Sequence, residues 1–155
     1  MGFYSIRKLI EAHKVSDDIR DRSIPLVGYP WMGSPVTFMN WDKVDEKYDL
    51  ENPERFKKQV IWIANQLIHS FVFLPCFDED SRLDSILFNS DRTRRQHVYS
   101  MSMNQIVSLF EEIAANDPAS MDSHFNEKIG DYKVRVGPTM KLCEAASNPV
   151  PPADG

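Results

Sequence analysis

The sequence predicts an α+β fold: a small antiparallel sheet, made of a three-stranded meander plus additional strands, with two or three helices packed on one face. Three observations predict it. Apolar residues recur at three- and four-residue steps over 53–69, three β-rich segments follow one another between 70 and 103, and Tyr132, Val134 and Val136 alternate with Asp131, Lys133 and Arg135. At 155 residues, with 42% apolar and 26% charged side chains, the chain has the composition of an ordinary folded protein. A chain of that length can hold one core without disulfides or metal. Residues 1–146 are therefore expected to form a single α+β domain. Residues 147–155, SNPVPPADG, have almost nothing to bury and are expected to be a Pro-rich flexible tail.

Each element has its own signal. Phe3, Ile6 and Ile10 fall at helical spacing, so 3–14 reads as a short amphipathic helix, followed by Ser16-Asp17-Asp18 as a turn or the cap of a further short helix. Residues 23–41, SIPLVGYPWMGSPVTFMNW, carry prolines at 25, 30 and 35. Proline has no amide donor and resists helix, so this stretch predicts two edge-like strands around a turn at Tyr29–Pro35. Asn52 suits an N-cap, Pro53 the first helical position and Glu54 the positive helix end. With Phe56, Val60, Ile63, Ala64, Leu67 and Phe71 on one stripe, they predict a helix from 53 to about 69. Ser70–Phe77, Asp84–Asn89 and His97–Met103 read as the meander. Ser102 and Gln105 then stand at capping-box spacing at the head of a second long helix, which ends at Asn116-Asp117-Pro118. After a polar loop comes the half-buried strand 131–136.

The net charge of −5 is spread evenly along the chain. Nucleic-acid binders need a basic domain or stripe to neutralise phosphates, and none exists at domain scale. The N-terminal segment has no unbroken apolar run, and Ile6 stands where a myristoylation signal wants Ser or Thr. A cytoplasmic protein is expected. Cys76 and Cys143 have no paired spacing, and no HExxH, P-loop, GxGxxG or GxSxG motif occurs. Asp78, Asp80 and Asp84 alternate like a calcium loop, but Leu83 and Asn89 stand where such a loop needs Gly and Glu. No cofactor and no metal site is expected.

Two local features break the even charge and composition. The turn before the third meander strand holds Arg92, Arg94 and Arg95, three guanidinium forks suited to carboxylate or phosphate. A solvated hairpin tip that blocks edge aggregation is the plainer account of them. The loop Tyr29-Pro30-Trp31-Met32-Gly33 carries Tyr29, Trp31 and Met32, types enriched at contact patches, on a backbone stiffened by proline. Trp31 tucked back over the core is the alternative there. The first functional reading is thus a small non-enzymatic interaction protein (an inhibitor, immunity factor or adaptor). It would bind another macromolecule, most readily a protein, through the aromatic loop and the arginine turn.

Arg92 and His97 also stand at an Arg-x4-His spacing over six residues, which resembles the short motif of HEPN-type ribonucleases. That resemblance implies chemistry in which arginine and histidine act on an RNA phosphodiester without metal. HEPN domains are helical bundles, whereas these residues fall on a hairpin turn, so a metal-independent ribonuclease or other phosphate-directed enzyme is the alternative reading. A Cys76/His97 nucleophile pair across the sheet is a further arrangement that the residue types permit.

Overall fold

The computed structural model describes residues 2–138. Its centre is one antiparallel sheet of five strands: β1 (Ser23–Pro30), β2 (Glu54–Gln59), β3 (Ser70–Phe77), β4 (Leu83–Ser90) and β5 (His97–Ser102), in the order β2-β1-β5-β4-β3. The helical segments are α1 (Gly2–Glu11), α2 (Asp17–Asp21), α3 (Val44–Lys47), α4 (Val60–Ile68) and α5 (Met103–Ala114). A separate ribbon pairs β6 (Met121–Asn126) with β7 (Asp131–Val136). The α+β class and the β3-β4-β5 meander agree with the sequence reading.

Side-chain alternation gives the sheet two buried faces. One presents Ile24, Leu26, Ile86, Phe88, Tyr99 and Met101 to apolar stripes of α1, α2, α4 and α5, among them Ile6, Ile10, Ile19, Ile63 and Leu109. Each such side chain removed from water stabilises by about 1.5–3 kcal/mol before ordering costs. The opposite face presents Val72 and Val98, with Leu74 and Leu87 beside them, to the segment 31–48, which contributes Val36, Val44 and Tyr48. The helices α1, α2, α4 and α5 cover one face; the strap, with the single turn of α3, covers part of the other.

Three expectations need correction. The helix expected over 53–69 is two elements, β2 and then α4, which starts only at Val60. Over 54–59 the period is two: Phe56 lies opposite Leu26 and faces the helices, while Arg55 and Lys57 face away. The four-residue step from Phe56 to Val60 fits a helix stripe equally well, which concealed the strand. The Pro-rich stretch 23–41 forms one strand rather than two, and β1 lies inside the sheet rather than at an edge. Its prolines are tolerated by position: the ladder to β5 begins only at Val27, and Pro30 is the last residue of the strand. The carbonyl of Pro25 instead accepts a hydrogen bond from Gln105 Nε2 at 2.7 Å. Gly28 leaves room for the Phe56 ring on the neighbouring strand, because a Cβ there would lie 2.6 Å from it. The third correction is β6, read from sequence as a polar loop. The Pro-rich end 147–155 lies outside the described residues.

The capping box at the head of α5 is present as the sequence suggested. Ser102 Oγ accepts from the Gln105 amide at 3.3 Å, and Gln105 Oε1 accepts from the Ser102 amide at 3.0 Å. Ser102→Ala is expected to lower stability by about 1 kcal/mol, read as a lower urea midpoint with an unchanged slope. An unshifted midpoint would show the box to be idle.

Candidate functional site

The aromatic loop and the arginine turn, far apart in sequence, meet at one end of the sheet. Trp31 follows β1 directly and its amide donates to the Gln96 carbonyl at 2.9 Å, so the loop leaves the sheet beside the β4–β5 turn. Trp31 also bridges to Tyr48 across the strap, and its indole Nε1 donates to the Ser34 carbonyl at 2.7 Å. Tyr48 is buried, and its hydroxyl donates to the Arg94 carbonyl at 2.7 Å. The same oxygen accepts from Asn89 Nδ2 at 2.7 Å. Burial pushes the Tyr48 phenol above its ordinary value; the Asn89 hydrogen bond and the nearby Arg94 charge pull the other way.

Arg94 completes the junction. Its Nη1 donates to the Val36 carbonyl at 3.2 Å, its Nη2 pairs with Asp91 at 3.2 Å, and its guanidinium carbon lies 4.1 Å from the centre of the Phe71 ring. Phe38, from the strap, stacks tilted on Phe71 with ring centres 5.0 Å apart. The result is a continuous layer of Phe38, Phe71 and Arg94 running from strap to turn.

The individual candidates fare differently. Tyr29 and Trp31 are half-buried and pack against the core of the strap face, while Met32 is exposed. The three arginines do not form a single patch. Arg94 is folded onto the strap. Arg95 is exposed to solvent. Arg92 is exposed too, but it lines a hollow with Arg7 and His69.

Sequence reasoning passed over the most exposed apolar residues of the strap, Phe38 at 82% and Met39 at 90% exposure. They sit on a turn braced by Asn40: its Oδ1 accepts from the Thr37 amide at 2.7 Å and its Nδ2 donates to the Pro35 carbonyl at 3.2 Å. The signal was available in Thr37-Phe38-Met39-Asn40, where two large apolar residues lie between turn-forming ones. Of the β6–β7 ribbon, β7 was expected and β6 was not. Phe125 and Tyr132 stack edge to face on one side of it and remain exposed.

The residues of the alternative reading have separate neighbours. His97 Nε2 lies 3.0 Å from Glu54 Oε2, and its ring stands edge-on to Phe56 with centres 4.9 Å apart. Cys76 pairs with Ser85, and Ser85 with Ser102, five residues along β5 from His97. At ~3.4 Å per residue that is roughly 17 Å, too far for a nucleophile and its base. Asp78 Oδ1 is taken by the amides of Asp80 and Arg82, at 2.9 and 2.8 Å, as an ordinary turn acceptor. Among the described residues no three His, Cys, Asp or Glu side chains converge as metal ligands, and no helix is long and apolar enough to cross a membrane. Compared with protein families, with curated proteins and with solved structures, the chain matches none of them.

Proposed function

We propose that this protein is a non-enzymatic interaction protein, an inhibitor or adaptor in kind, whose partner is another protein. The partner surface is the strap 31–48 together with the β4–β5 turn. The observation that carries this reading is the braced turn at 37–40, which leaves Met39 and most of Phe38 in solvent, Phe38 resting one side of its ring on Phe71. Exposed large side chains on a pre-ordered loop lose little entropy on binding, and such apolar anchors carry most of the energy of an interface. Met32 adds apolar contact area, and Trp31 and Tyr29 hold the loop in place from beneath. Arg95, next to the Gln96 carbonyl that anchors Trp31, supplies a cationic rim that favours an acidic partner.

Affinity purification from the source cell with quantitative mass spectrometry tests this. A Phe38→Ser/Met39→Ser variant is expected to recover the specific partners at about one tenth of the wild-type yield or less, the loss of two anchors. A Phe125→Ser variant of the β6–β7 ribbon should recover them undiminished. Equal recovery by wild type and the Phe38/Met39 variant would remove the reading.

A further inference from the structure

On the helix side of the same β4–β5 turn lies a polar hollow of about 440 Å³. Three elements build it: Arg7 from α1, Asn65 and Gln66 from the last turns of α4 with His69 at its end, and Arg92 from the turn. Arg7 Nη1 lies 3.5 Å from His69 Nε2. A guanidinium has no acceptor, so in this contact Nε2 carries the lone pair and His69 extends the Arg7 side of the wall.

Two amides in the wall are incompletely used. Gln66 is 8% exposed, and its Oε1 is occupied by the Ser90 amide at 3.2 Å and the Thr93 hydroxyl at 2.8 Å. These two donors fix which end of the amide is oxygen. Its Nε2 therefore remains a donor, and it donates to no described residue. Asn65 Oδ1 is fully buried and has no hydrogen-bond partner among the described residues. Arg92 forms no ion pair with a described residue.

The charges favour an anion. Asp91 also lines the hollow but is paired with Arg94 at 3.2 Å, and Glu11 is shared by Arg7 and Lys8 at 2.6 and 3.0 Å. Two guanidiniums, Arg7 and Arg92, thus line the hollow against one carboxylate, Asp91. The α4 C-terminus adds only about half a negative charge. An unpaired cation and a free amide donor together suit an anionic group, and a hollow of about 440 Å³ has room for more than a bare phosphate.

We propose that this hollow binds a small phosphate monoester. Arg92, Arg7 and Gln66 Nε2 take the phosphoryl oxygens. The site lies outside the strap and is independent of the partner reading.

The test is titration of the isotope-labelled protein by NMR with ribose 5-phosphate, inorganic phosphate and ribose, following the amides of Ser90, Asp91 and Arg92. Ribose 5-phosphate is expected to give saturable shifts, inorganic phosphate weaker binding and ribose none. Arg92 is exposed and pairs with no described residue, so Arg92→Gln keeps the fold. It should weaken ribose 5-phosphate binding about tenfold, as expected for a charge-assisted contact. Arg95→Gln should change it by less than about twofold, as for an ordinary surface charge. Absence of saturable shifts, or equal weakening by the two variants, would overturn the site. Equal affinity for inorganic phosphate and the ester would overturn the assignment of an esterified ligand.

Discussion

Asn89→Ala is expected to lower stability by about 3–4 kcal/mol, among the largest effects of any polar substitution in this fold. Asn89 has no exposed surface and serves three separate parts of the chain. Its Oδ1 accepts from the Val72 amide at 3.2 Å, beside the point where the β3–β4 register shifts. Its Nδ2 donates to the Tyr48 hydroxyl at 2.7 Å and to the His97 carbonyl at 3.1 Å. Alanine leaves a buried donor and two acceptors short of a partner and opens a void beneath the strap. Leaving one such group unsatisfied costs about 1–3 kcal/mol, and the losses here overlap rather than add. For a domain of this size the change corresponds to a fall in melting temperature of roughly 10 °C. Faster hydrogen exchange at the Trp31 and Met32 amides should accompany it, because Tyr48 loses one of its two anchors. A fall in stability below about 1 kcal/mol would mean that the network is not the tie between strap and sheet.

Tyr48→Phe is expected to cost about 2 kcal/mol at neutral pH, and the cost should shrink in alkali. The phenol is raised above its ordinary value of 10.0 by burial, so near that pH the unfolded chain releases a proton that the folded chain retains. The unfolded state then binds fewer protons, and stability must fall as pH rises through 10.0 toward the folded value. Tyr99, also raised by burial and further by Glu54, acts in the same direction. Phenylalanine at 48 removes the Tyr48 share of this decline. Urea unfolding of both proteins between pH 8 and about 11 should show the gap narrowing above pH 10. A constant gap would show that Tyr48 ionises equally in both states.

Much of this architecture was legible because local pattern and tertiary burial agree. Ser70–Phe77, aromatic and β-branched, and Asp131–Val136, alternating with period two, form strands with those limits, although Tyr132 stays exposed rather than half-buried. Ser102 and Gln105 cap a helix whose Ile106, Leu109 and Ile113 face the core. Legibility failed where one residue served two patterns. Phe56 satisfies both a helix step to Val60 and a strand position opposite Leu26, and only pairing with β1 decides between them. The arginine turn was visible as composition, yet its division was not. Whether Arg94 folds onto Phe71 or Arg92 onto the α1–α4 hollow depends on elements more than twenty residues away. Tyr48 and Asn89, which join the loop to the turn, carry no sequence signal because each looks like an ordinary polar or aromatic residue until the sheet is assembled.

The partner surface is tested most directly by a photo-cross-linking amino acid placed at Phe38, at Arg95 and, as a control, at Lys14, with irradiation in the source cell. The account predicts the same protein adduct from positions 38 and 95, and none from position 14. No adduct at Phe38, or equal adducts from all three positions, would contradict it.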